Sequence, residues 1–153
     1  MTIWRPVQYI RVKAIGICWR GDRLLAAEVT TDTGHIKGVR PLGGTVEFGE
    51  TWQQALAREF QEELSIEITT PGRPHVLENI FTHEGKTGHE VIFAAEVTLP
   101  TAALPSDDPI VFKEDSGVEC TARWFTLDEL DTGGPALYPT GLKQVLLNAT
   151  YSG

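Results

Sequence analysis

A chain of 153 residues, 41% hydrophobic and 22% charged, can build one sizeable core without a second domain, so residues 1–153 read as a single domain. Its net charge of −8 argues against a nucleic-acid polymer or an anionic membrane as partner, since both need clustered Lys and Arg. The apolar runs are too short to span a bilayer, and Met1 to Arg11 lacks the basic start and apolar stretch of a signal peptide, so a soluble cytoplasmic protein is expected.

In chain order, Val12, Ala14, Gly16 and Cys18 alternate with Lys13, Ile15, Ile17 and Trp19, which predicts a strand buried on both faces for much of its length. Arg20-Gly21-Asp22 turns it, and Leu24 to Val29 reads as its hairpin partner. A polar loop from Thr31 to Gly38 leads toward a glycine-bearing loop, Gly43 to Gly49, where small residues permit close approach of a ligand. Thr51 with Gln54 forms a capping box, so a helix starts near Trp52. Leu56, Phe60 and Leu64 give that helix a buried stripe, with Glu59, Glu62 and Glu63 on the opposite flank.

Beyond the helix, Ile66 to Thr69 predicts a short strand and Pro71 to Pro74 a connector. Val76 to His83 and His89 to Val97 predict a second hairpin around Gly85 and Gly88. The segment Leu99 to Gly117, with three prolines, reads as a long irregular loop suited to substrate discrimination together with the His83 to His89 turn. Arg123 to Thr126 resumes as a strand, Asp128 to Leu130 forms a helical turn, and Leu142, Val145, Leu146 and Ala149 mark a final amphipathic helix. Cys18 and Cys120 have no CxxC spacing and read as inert thiols. Strands followed by helix, strands and helix indicate an α/β fold with a mixed sheet.

The chemistry gathers on the first helix. Glu59, Glu62 and Glu63, at offsets of zero, three and four, share one helical face, where like charges repel and where the C-terminal end of the dipole disfavours anions. A cation belongs there. Mg²⁺, or Mn²⁺, suits three carboxylates because hard divalent ions bind oxygen and complete their shell with substrate phosphates.

From Gly44 to Ile66 the chain resembles the Nudix box, G-x5-E-x7-R-E-U-x-E-E-x-G-U, with U an apolar residue. Gly44, Glu50, Arg58, Glu59, Phe60, Glu62, Glu63 and Ile66 fall in register, while Ser65 stands where the family has glycine. A glycine there usually serves a left-handed conformation, so serine costs roughly 1–2 kcal/mol without removing a carboxylate. The resemblance to Nudix, or MutT-like, hydrolases implies an α/β/α sandwich and an enzyme that hydrolyses a nucleoside diphosphate linked to another group. ADP-ribose, dinucleoside polyphosphates and noncanonical nucleoside triphosphates are the candidates.

On the same footing, Glu59, Glu62 and Glu63 would hold Mg²⁺ and Arg58 would orient a ligand. Gly43 and Gly44 belong to the substrate and cofactor loop, and Glu50 either joins the ligands or, preferably, braces the loop through Arg58. A late-loop carboxylate contributes in some members; Glu119 ranks above Glu114 for that role because it immediately precedes the strand beginning at Arg123. Phe81, Thr82 and His83, near the distance where subfamilies carry a marker proline or tyrosine, match neither. The expected partner is a small nucleotide diphosphate derivative, with a homodimer left open. The alternative is a Nudix-like module that senses a nucleotide without turnover, against which the intact glutamate trio argues. Serine-hydrolase chemistry is unsupported, as no GxSxG occurs.

Overall fold

The computed structural model describes residues 3–114 and 116–151, the last two by backbone alone. The strands are β1 (Ile10–Ile17), β2 (Trp19–Arg20), β3 (Arg23–Thr30), β4 (Ile36–Arg40), β5 (Gly43–Thr45), β6 (His75–His83), β7 (Lys86–Glu96), β8 (Ile110–Lys113), β9 (Glu119–Thr126) and β10 (Ala136–Leu137). Helix α1 (Trp52–Leu64) follows β5, a 3-10 turn spans Leu127–Glu129, and α2 (Leu142–Tyr151) ends the described chain. Two sheets result, one in the order β5-β1-β7-β6 and one in the order β10-β4-β3-β9-β8 with β2 beside β3. β1 lies parallel to β7 and antiparallel to β5, so the first sheet is mixed.

Neighbouring residues on single strands belong to different cores. Ala14 and Leu25 pack with Leu56 and Phe60 of α1, whereas Ile15 and Leu24 pack with Leu142 and Leu146 of α2. The strands are therefore buried from both sides and the helices form outer layers, which is the α/β/α sandwich expected. The bulky Phe60 is accommodated because Gly16 has no Cβ: one built there would lie 2.7 Å from the Phe60 ring.

The structure alters the expected pairing in several places. The run Val12 to Trp19 is not one strand folded back on Leu24 to Val29. It divides at Cys18, leaving β1 in the first sheet and only the two residues of β2 to form the hairpin with β3 in the second. The second hairpin is tighter than expected, since Glu84 and Gly85 both have positive φ, 51° and 79°, and close a two-residue turn that lets β7 begin at Lys86. Between Ile66 and Thr69 only a bridge from Thr69 to Thr98 forms. Parts of both presumed loops are strands: β4 begins at Ile36, and β8 lies inside Leu99 to Gly117, whose Asp115 is outside the described residues.

Cys18 and Cys120 are free thiols, and burial pushes both up, to about 11 and about 12. Among the described residues no helix is long and apolar enough to cross a membrane.

Candidate active site

Helix α1 starts as its sequence requires. Thr51 Oγ1 accepts from the Gln54 amide at 3.1 Å, and the Gln54 side chain accepts from the Thr51 amide at 2.9 Å, so the two residues satisfy each other's donors. At the other end Ser65 adopts the left-handed conformation, φ 55° and ψ 38°, that the glycine of the resembled motif would supply. Between these caps, Arg58 supplies the cation that the crowded carboxylates demanded. Its Nε and Nη2 donate to both oxygens of Glu50 at 2.8 and 2.9 Å, its Nη1 donates to Glu59 at 2.9 Å and reaches Glu62 at 3.5 Å, and Nη2 also donates to the Thr45 carbonyl at 3.0 Å. Arg58 thereby fastens the loop to the helix.

Glu50 is held by that grip and by the Glu47 amide, and hydrogen bonding to Arg58 foremost lowers its carboxyl to about 2. With both oxygens engaged it acts as a brace. Gly43 and Gly44 lie in β5 on the wall of a cavity of about 400 Å³. A Cβ on Gly44 would lie 2.4 Å from the Glu59 carboxyl carbon, so only glycine lets that carboxylate press against the strand.

The three glutamates separate. Glu59 is buried, 4% exposed, rather than on an open flank, and it faces the cavity together with Glu63. Burial foremost, then the hydrogen bond and charge of Glu59, push Glu63 up to about 9. Glu62 stays on the exposed side beside Arg58, 47% exposed. The oxygen-only donor set formed by Glu59 and Glu63 fits a hard divalent ion.

Glu119 opens β9 on the surface, paired in register with Lys113. Glu114 instead lines the cavity, hydrogen-bonded by Arg40. The distinction was hidden because β8 and β9 form a hairpin whose turn, not its strand start, overlooks the cleft. The Ser106 to Asp107 stretch is tied elsewhere: Arg20 holds the Leu104 and Ser106 carbonyls and Asp107, and stacks on Trp124 at 4.3 Å.

The cavity itself is a continuation of the inter-sheet core. Along β1 the side chains facing α2 run from Ile17 and Ile15 to Lys13 and Arg11; along β7 from Ala94 and Ile92 to Glu90; along β6 from Leu77 to Asn79. The facing sheet changes likewise, from Ala26 to Glu28 in β3 and from Val39 to Lys37 in β4. Thus Arg11, Lys13, Lys37 and Arg40 bring positive charge to the same space as the α1 carboxylates. Lys13 is lowered to about 8, first by burial and then by Arg40, while Glu90 at 3.7 Å holds it up. Sequence reading passed over these residues. The signal available was charge placed on the same alternating face as Ile15 and Ile17.

At the mouth, Arg5 binds Asp32 at 2.5 Å while Trp4 stacks on Phe81 with centroids 6.3 Å apart and meets His83 edge-on. Asp32, His83 and Glu84 converge closely enough to suggest a metal, but Arg5 already pairs Asp32 and Lys37 Nζ sits 2.8 Å from His83 Nδ1. Cations occupy that role without an ion.

The profile of the NUDIX domain matches residues 10–146. Among solved structures, the chain is similar to the E. coli ORF135 protein, with TM-score 0.58, 22% identity, and coverage of 94% of this chain and 92% of that one. A MutT protein from Bacillus halodurans gives TM-score 0.59 and 20% identity over 90% and 80% of the respective chains. An ADP-ribose pyrophosphatase from Streptococcus suis gives TM-score 0.55 and 18% identity over 92% and 91%. No curated protein matches.

Proposed function

The chain belongs to the NUDIX family of hydrolases, and we propose that it cleaves the diphosphate bond of a nucleoside diphosphate linked to another group, with Mg²⁺ or Mn²⁺ held by Glu59 and Glu63, the two glutamates of the expected trio that face the cavity. The observation that carries this reading is the meeting, in one cavity, of the Glu59 and Glu63 carboxylates with Arg11, Lys13 and Arg40. Carboxylates alone would repel a diphosphate and cations alone would have no hydrolytic use; together they suit a phosphate chain carried in with a metal. Bound there, the ion would neutralise the diphosphate and lower the pKa of a coordinated water.

The protein's own residues divide the remaining work. Arg58 fixes the Glu59 carboxylate and, through Glu50 and the Thr45 carbonyl, the loop before it. Arg11 and Lys13 would meet the phosphates from β1 on the wall of the same cavity. Gly44 removes the side chain that would displace Glu59. Incubating the protein with Mg²⁺ and a panel of nucleoside di- and triphosphates and diphosphate-linked nucleotides, then identifying both products, tests the proposal. Cleavage at a P–O–P bridge is expected. Retention of every intact nucleotide would end it.

A further inference from the structure

The far wall of the cavity holds a group that the phosphate chemistry leaves unused. Asn79 is 91% buried, lines the cavity, and its amide makes no hydrogen bond to any described residue. Facing the cavity with no protein partner, that amide is available to a ligand entering it. Asn79 stands directly across from Glu90 in the β6–β7 register, and Glu90 stands directly across from Arg11 in the β1–β7 register, so the three share one row and one face. Glu90 is 7% exposed and meets Lys13 only at 3.7 Å, which leaves its oxygens accepting capacity.

A carboxylate accepts only, whereas an amide also donates. Side by side they complement an edge that offers two adjacent N–H donors followed by a carbonyl, which is the ring N–H, amino group and carbonyl of guanine. Adenine and cytosine would turn an unprotonated ring nitrogen toward the second carboxylate oxygen, and uracil offers one N–H between two acceptors. Phe81, on the next rung and packed over Gly88, with Trp4 stacked beyond it, supplies a flat apolar wall. From β5 beside Glu59 to β7 and β6 is two to three strand spacings, about 10–14 Å, which separates a base edge on Glu90 and Asn79 from phosphates at the Glu59 end of the cleft.

We propose that Glu90 and Asn79 form a base pocket for guanine nucleotides, Glu90 accepting from the ring N–H and amino group and Asn79 donating to the carbonyl. This rests on the cavity being the nucleotide site proposed above. The test measures binding of GDP, IDP, ADP, CDP and UDP by calorimetry without divalent ion, alongside Mg²⁺-dependent hydrolysis of the corresponding triphosphates. GDP is expected to bind about tenfold or more tighter than ADP, CDP and UDP, with IDP, which lacks the amino group, weaker than GDP by several-fold. Asn79→Asp, which exchanges the donor for an acceptor, should weaken GDP about tenfold and narrow its lead over ADP. The IDP comparison uses the native protein and needs no variant to fold. Binding of all bases within twofold, or equal binding of GDP and IDP, would overturn the pocket even if hydrolysis occurs. Selective GDP binding without hydrolysis would uphold it and remove the hydrolase reading, and absence of both would remove both.

Discussion

Helix α1 and the floor of the cleft reach the same cavity by opposite routes. The helix brings Glu50, Arg58, Glu59, Glu62 and Glu63 together within one local segment, whereas the floor assembles Arg11, Asn79 and Glu90 from three strands that meet only through register. In the first case spacing along the chain is the geometry. In the second, a single-residue slip of a strand would turn the relevant side chain away. The reactive half of such a site can consequently stay fixed while the recognising half is rebuilt.

The sharpest way to separate the halves is Glu63→Gln. Removal of one half-buried carboxylate should lower kcat on the order of a hundredfold while leaving the ranking of nucleotides by affinity unchanged. Steady-state kinetics beside metal-free binding would show both, and a changed ranking would mean the halves are not independent.

On the floor, Lys13 provides a test by pH. Its ammonium, lowered to about 8 by burial and then by Arg40 and Arg11 against the opposing pull of Glu90 and Glu114, would hold phosphate only while protonated. Nucleotide affinity should therefore fall as pH rises through about 8, approaching tenfold per unit, and Lys13→Arg should flatten the profile. Calorimetry between pH 7 and 9.5 would reveal it, and an unchanged slope in the variant would discharge Lys13 from that role.

The helix half predicts a different window. Glu50 has a folded pKa of about 2 against an ordinary 4.5, so the folded state holds its proton less tightly than the unfolded one. Its stabilising effect is complete above about 4.5 and disappears as pH falls toward 2. Chemical denaturation of the native protein and Glu50→Gln should show a stability gap at pH 6 that closes on acidification. The smallest effect should come from Ser65→Gly, which relieves a left-handed serine and raises stability by about 1 kcal/mol without changing kcat.

The same contrast decides what could be read from residues in order. The capping box at Thr51, the left-handed turn at Ser65 and the burial of β1 on both faces followed from local chemistry and period. The parallel partnership of β1 with β7 did not, because its partners lie about 80 residues apart and nothing local announces them. β8 escaped notice as four residues between prolines and an acidic turn. Glu114 was ranked behind Glu119 for the same reason, since which of the two overlooks the cleft depends on that hairpin. Arg58 was placed beside Glu59, but its simultaneous hold on Glu50 and on the Thr45 carbonyl requires the loop's path in three dimensions.

The shared level at which five strands change from apolar to polar acts as a waterline. Below it, Ile15, Ile92, Leu77, Ala26 and Val39 are core; above it, the same faces are binding surface. Cavity depth is then a property of pattern rather than of loops. Moving the line by one rung, with an apolar residue in place of Glu90 or Asn79, would extend the core and shorten the ligand that fits; a polar residue in place of Leu77 would do the reverse. Because each strand keeps its pairing, such a chain could explore substrates of different length without redesigning its fold.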